Sequence, residues 1–67
     1  MPFINVKLTN PLPDKETQDK IASEITEIFI QNLGKVPERT VVVFEGVNAS
    51  DFYFGGKSVE DIKKGVK

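Results

Sequence analysis

The first apolar residues of the chain alternate with polar ones. Ile4, Val6 and Leu8 fall on one side of an extended backbone, and Phe3, Asn5 and Lys7 on the other. A period of two predicts a strand over about residues 2–8. Thr9-Asn10-Pro11-Leu12-Pro13 interrupts it, because proline brings no N–H to a ladder. The period then lengthens. Ile21, Ile25, Ile28, Phe29 and Leu33 are spaced four, three, one and four apart, an apolar stripe with Ala22 at its margin. Lys15, Asp19, Lys20, Ser23, Glu24, Glu27 and Gln31 occupy the opposite side. The spacing predicts a helix from Lys15 to about Leu33, roughly 28 Å long at 1.5 Å per residue. Asp14 stands at its N-cap position, Glu16 in its first turn, and Gly34 where a left-handed residue closes the helix.

Val36-Pro37-Glu38-Arg39 reads as a connector. Thr40-Val41-Val42-Val43-Phe44 is apolar without alternation, the pattern of a strand buried on both faces. Residues 46–51 read as a turn region. Phe52-Tyr53-Phe54 is too short for a core strand and ends at the tight bend of Gly55-Gly56. Ser58, with Asp61 three residues on, is an N-cap for one or two helical turns over residues 59–64. The expected fold class is therefore α+β: a βαβ unit with two parallel strands, one long helix and a short C-terminal hairpin segment, in one domain over residues 1–67.

One helix covers one face of a two-stranded sheet. Phe3, Val42 and Phe44 are then expected bare on the other face, and burying each side chain is worth about 1.5–3 kcal/mol. The chain has 67 residues, no cysteine and no histidine. Neither disulfides nor a thiolate or imidazole metal site is open to it, and no cofactor is expected. The remaining way to stabilise so small a core is self-association, so the subunits are expected to form oligomeric sheets. The net charge of −1, with mixed signs, offers no field for nucleic acid or an anionic membrane. No signal-peptide pattern or membrane-span run is visible, and a cytoplasmic location is expected.

Pro2 directly follows Met1, and aminopeptidases that remove methionine favour a small second residue. After removal, Pro2 would carry a free secondary amine held at the head of a strand. An ordinary α-amino group titrates near about 7.7–8.0, and apolar burial or a nearby cation lowers that value toward the range useful to a general base. Pro2 is also a residue suited simply to starting an edge strand. If Met1 stays, the nitrogen of Pro2 is a tertiary amide and no base.

Met1-Pro2 running straight into a strand, then a long helix, a Val-rich strand and Phe52-Tyr53-Phe54-Gly55-Gly56, resembles the 4-oxalocrotonate tautomerase family over nearly the whole chain. The resemblance implies a keto–enol isomerase with Pro2 as general base on a small enol or dienol carboxylic acid such as 2-hydroxymuconate. It further implies Phe52 as an apolar pocket wall and a homo-oligomer, a hexamer built as a trimer of dimers. Members of the family place one arginine in the loop before the helix and another at the start of the second strand. Here the loop residues Pro11-Leu12-Pro13-Asp14 contain none. Arg39, the single arginine, lies next to the second position without being in clear register.

Its planar donor fork suits a carboxylate, so Arg39 is a candidate substrate-binding residue, with Lys7 a second candidate. Packing accounts for Tyr53 and Phe54. Capping and solvated faces account for Asp14-Lys15-Glu16, Glu24, Glu27 and Glu60-Asp61. Two other readings stand beside the isomerase. One is a dehalogenase or decarboxylase activity on the same fold; the other is a non-catalytic oligomeric protein that keeps Met1.

Overall fold

The computed structural model describes residues 2–65. Strand β1 spans Phe3–Thr9, helix α1 Lys15–Leu33 and strand β2 Val41–Val47. Strands β3 (Tyr53–Phe54) and β4 (Lys57–Ser58) follow, and then helix α2, Val59–Lys63. The β1 and β2 strands pair in parallel, from Phe3 opposite Val41 to Thr9 opposite Val47. The β3 and β4 strands form a separate antiparallel hairpin. The expected βαβ unit and C-terminal hairpin are both present.

Local chemistry sets the limits of α1. Asp14 is extended and accepts a hydrogen bond from the Thr17 N–H at 2.8 Å. At the other end Gly34 turns left-handed (φ 63°), and its N–H donates to the Ile30 carbonyl at 3.0 Å. A residue with a Cβ would be strained there. Ser58 caps α2 in the same manner, accepting from the Asp61 N–H at 3.1 Å. It is the one buried polar residue among those described.

The strand register corrects the expected assignment of faces. Partners in a parallel pair share a face, so Ile4, Val6 and Leu8 lie with Val42, Phe44 and Gly46 on the side of α1. The open side carries Phe3, Asn5 and Lys7 with Val41, Val43 and Glu45. Phe3 is bare as expected, but Val42 and Phe44 are not; Val41 and Val43 take their place. Likewise, β2 continues through Glu45-Gly46-Val47, three residues past the expected end. The half-buried face of α1 runs through Ile21, Ala22, Ile25, Thr26, Phe29 and Ile30, while Ile28 and Leu33 stay exposed. The stripe is rotated toward Ala22 and Thr26, which line a groove together with Val42.

No apolar side chain among the described residues is fully buried. The chain measures 47 × 25 × 14 Å with a radius of gyration of 15.5 Å. A compact chain of this length has a radius near 11 Å. Its accessible surface is 5079 Å², against about 4,200 Å² for a compact monomer of this mass. One subunit leaves its apolar surface for others to cover.

Candidate active site

Pro2 is half-buried, immediately ahead of β1. Its carbonyl accepts the Val41 N–H at 3.0 Å, which ties Pro2 to the first residue of β2. Pro2 is thereby tied to the starts of two strands. Arg39 closes a 3₁₀ turn over Pro37–Arg39, two residues before Val41. Pro37 starts that turn with its preset φ, the Arg39 N–H donates to the Val36 carbonyl at 3.0 Å, and the Thr40 hydroxyl donates to the same carbonyl at 3.0 Å. The Arg39 side chain is exposed and forms no ion pair among the described residues. Because the strands are parallel, Pro2 and Arg39 share one end of the sheet.

Phe52 lies beyond the other end. The rise along β2 from Val41 to Val47 is about 20 Å. The five residues from Val47 to Phe52 span at most about 17 Å if fully extended, and Ala49–Asp51 coil into a 3₁₀ turn. The chain cannot return Phe52 to its own Pro2. Instead the Phe52 carbonyl accepts the Val59 N–H at 2.6 Å, and its ring stacks on Phe54 with centroids 5.9 Å apart. One subunit thus brings two of the three expected site residues together and holds the third at the far end.

Lys7 lies mid-strand on the open face, 3.7 Å from Glu45, to which Asn5 also donates at 3.4 Å. That ion pair accounts for it. The loop before α1 is fastened at the Phe52 end: the Asn10 N–H donates to the Val47 carbonyl at 2.8 Å, and the Asn10 amide donates to Asn48 Oδ1 at 2.9 Å. Asn10 and Leu12 fold over Gly46, where a Cβ would overlap Asn10 Oδ1. Sequence reading found neither the Asn10–Asn48 pair nor the reason for Gly46, since both depend on contacts between distant segments.

The hairpin presents two faces. Tyr53 pairs with Ser58, and Phe54 with Lys57. Opposed residues in an antiparallel pair share a face, so Lys57 joins Phe54 and, two residues back, Phe52. Both residues of the connecting turn have positive φ (Gly55 56°, Gly56 84°), the geometry of a tight two-residue hairpin. An open groove of about 490 Å³ runs between α1 and the outer edge of β2, along Ala22, Thr26, Ile30, Pro37 and Val42. None of Pro2, Arg39 and Phe52 lines it. No helix among the described residues is long and apolar enough to cross a membrane.

A family model described as tautomerase enzyme matches residues 2–62. A probable tautomerase of Campylobacter jejuni is 44% identical over 63 residues, covering 94% of this chain and 93% of that one. Among solved structures, DmpI from Helicobacter pylori superposes with a TM-score of 0.83 at 28% identity, over 94% of this chain and 97% of its own. A 4-oxalocrotonate tautomerase isozyme from Methylibium petroleiphilum shares the fold, with a TM-score of 0.86 at 17% identity, over 97% and 100% of the two chains. With a strand-bound Pro2, a parallel βαβ unit and a glycine-turned aromatic hairpin on one short chain, this protein belongs to the tautomerase family of isomerases.

Proposed function

We propose that Pro2, freed by removal of Met1, is the general base of a keto–enol tautomerase acting on a small enol or dienol acid such as 2-hydroxymuconate. The neutral secondary amine accepts the enol hydroxyl proton, and the oxygen lone pair forms the carbonyl as the double bond shifts. The resulting ammonium returns the proton to carbon, so the reaction is balanced without any co-reactant. Arg39 binds a substrate carboxylate with its donor fork. Phe52 of a neighbouring subunit walls the pocket, excludes water and disfavours the charged amine.

The observation that supports this reading is the 3.0 Å bond from the Val41 N–H to the Pro2 carbonyl, which ties Pro2 to the start of β2. Chain reach separates Pro2 from its own Phe52, so a complete site needs subunits that run antiparallel to one another. A hexamer built as a trimer of dimers, in the cytoplasm, is the assembly that goes with it.

The test is a tautomerase assay with 2-hydroxymuconate and phenylenolpyruvate, on protein whose processed amino terminus is established by intact mass. Pro2→Ala, or retention of Met1, is expected to lower kcat by about a hundredfold or more. Processed Pro2→Ala protein that performs like wild type refutes the role of Pro2.

A further inference from the structure

We infer that Lys57 is a specificity-determining cation, delivered in trans to the pocket by the same hairpin face that carries Phe52. This rests on the proposed site in one respect: it assumes that Phe52 of one subunit reaches Pro2 of another. Given that, the position of Lys57 follows from the hairpin. The Phe54–Lys57 register puts Lys57 beside Phe54, and the Phe52 ring stacks on Phe54 at 5.9 Å. The turn between them is held by two glycines in conformations that other residues rarely adopt. Wherever Phe52 is inserted, Lys57 is carried along at a set offset.

Lys57 is one of four described lysines outside any ion pair, with Lys20, Lys35 and Lys63, and it is the one on the hairpin. Lys7 is paired with Glu45 at 3.7 Å, Lys15 with Asp19, and Lys64 with Glu60 at 3.5 Å. Lys57 forms no ion pair among the described residues and shares the hairpin face of Phe54 and Phe52. The opposite hairpin face is occupied: Ser58 is buried there as the cap of α2.

The loop before α1 supplies no cation, and Arg39 is the only arginine of the chain. Arg39 enters from the strand-start end and Lys57 from the partner's hairpin, so the two charges flank the pocket from opposite sides. A substrate with a carboxylate at each end is the ligand that satisfies both. A monocarboxylate of the same carbon skeleton engages Arg39 and leaves Lys57 without a partner.

Muconate and sorbate make the comparison without catalysis, since both are six-carbon dienoates and only muconate carries the second carboxylate. Binding of each to processed protein is measured by titration calorimetry for wild type, Lys57→Ala, Lys57→Arg and Lys63→Ala. Wild type is expected to prefer muconate. Lys57→Ala should weaken muconate binding by about ten- to a hundredfold, the loss expected for a hydrogen bond to a charged group, and leave sorbate unchanged. Lys57→Arg should restore the preference, and Lys63→Ala, on the exposed side of α2, should alter neither ligand.

Equal binding of the two acids by wild type overturns the inference. So does a Lys57→Ala protein that keeps the preference, or one that loses both ligands equally. If muconate discrimination depends on Lys57 while Pro2→Ala leaves turnover intact, the assignment of the base fails and that of Lys57 survives. The converse pattern fails Lys57 alone.

Discussion

Replacing Phe3 with alanine tests whether this fold is held together between subunits rather than within one. Phe3 begins β1 on the open face of the sheet and is 64% exposed in a single chain. A phenylalanine buries on the order of 200 Å² when covered, so about 130 Å² of Phe3 remains for a neighbour to remove from water. At about 25 cal/mol per Å² this is about 3 kcal/mol per subunit, of which truncation to alanine forfeits about 2. A two-fold interface loses that twice. At about 1.4 kcal/mol per tenfold, the dimer dissociation constant should rise by about a thousandfold.

Sedimentation or light scattering over a dilution series reads this directly, with thermal unfolding at each concentration. Wild-type Tm should climb with protein concentration, because a subunit with no buried apolar core among its described residues has little stability to unfold from. Phe3→Ala should need a much higher concentration to reach the same Tm. A wild-type protein that runs as a monomer, with a Tm indifferent to dilution, would refute the reasoning outright. So would a Phe3→Ala assembly that dissociates no more readily.

Two smaller perturbations probe the scaffold. Gly46→Ala places a Cβ against Asn10 Oδ1 and Leu12; it should break the Asn10–Asn48 bond and cost about 1–3 kcal/mol in urea unfolding, whereas an unchanged midpoint would show that the loop shifts freely. Asp14 is held below the ordinary carboxylate range by the Thr17 hydroxyl and backbone N–H. Its contribution is therefore fully present above that range and lost as pH falls through the lowered value. Asp14→Ala should depress Tm at neutral pH, and the gap to wild type should close below about pH 4; a gap that persists in acid would exclude the charged cap.

What could be read from the sequence was what short-range chemistry decides. The ends of α1 follow from Asp14 and Gly34, whose capping bonds reach only three or four residues. The end of β2 is not legible in the sequence, because Glu45-Gly46-Val47 reads as a turn until its partners are known. Glu45 pairs with Lys7, Gly46 receives Asn10, and Val47 accepts the Asn10 N–H, all across the sheet.

The faces of β2 are hidden from the sequence for a related reason. Four consecutive apolar residues, Val41 to Phe44, carry no alternation, so only the register with β1 determines which of them meet α1. In the site, the proximity of Arg39 to Pro2 follows from the parallel strands and was legible. The distance of Phe52 was not, because it depends on the direction in which the hairpin leaves β2.

That direction links cohesion to chemistry. In a parallel βαβ unit both strands begin at one end, so Pro2 and the β2 lead-in are neighbours by topology. Whatever follows β2 starts at the opposite end, and too few residues remain between Val47 and Phe52 to come back. The apolar wall proposed for Pro2 would then come from another subunit, on a hairpin whose Phe54 is 63% exposed in isolation. The same surfaces that a lone chain leaves uncovered are those that close the proposed pocket. On this reading a mutation that loosens the assembly also rehydrates Pro2, raises the proportion of charged amine and lowers activity before any subunit has unfolded.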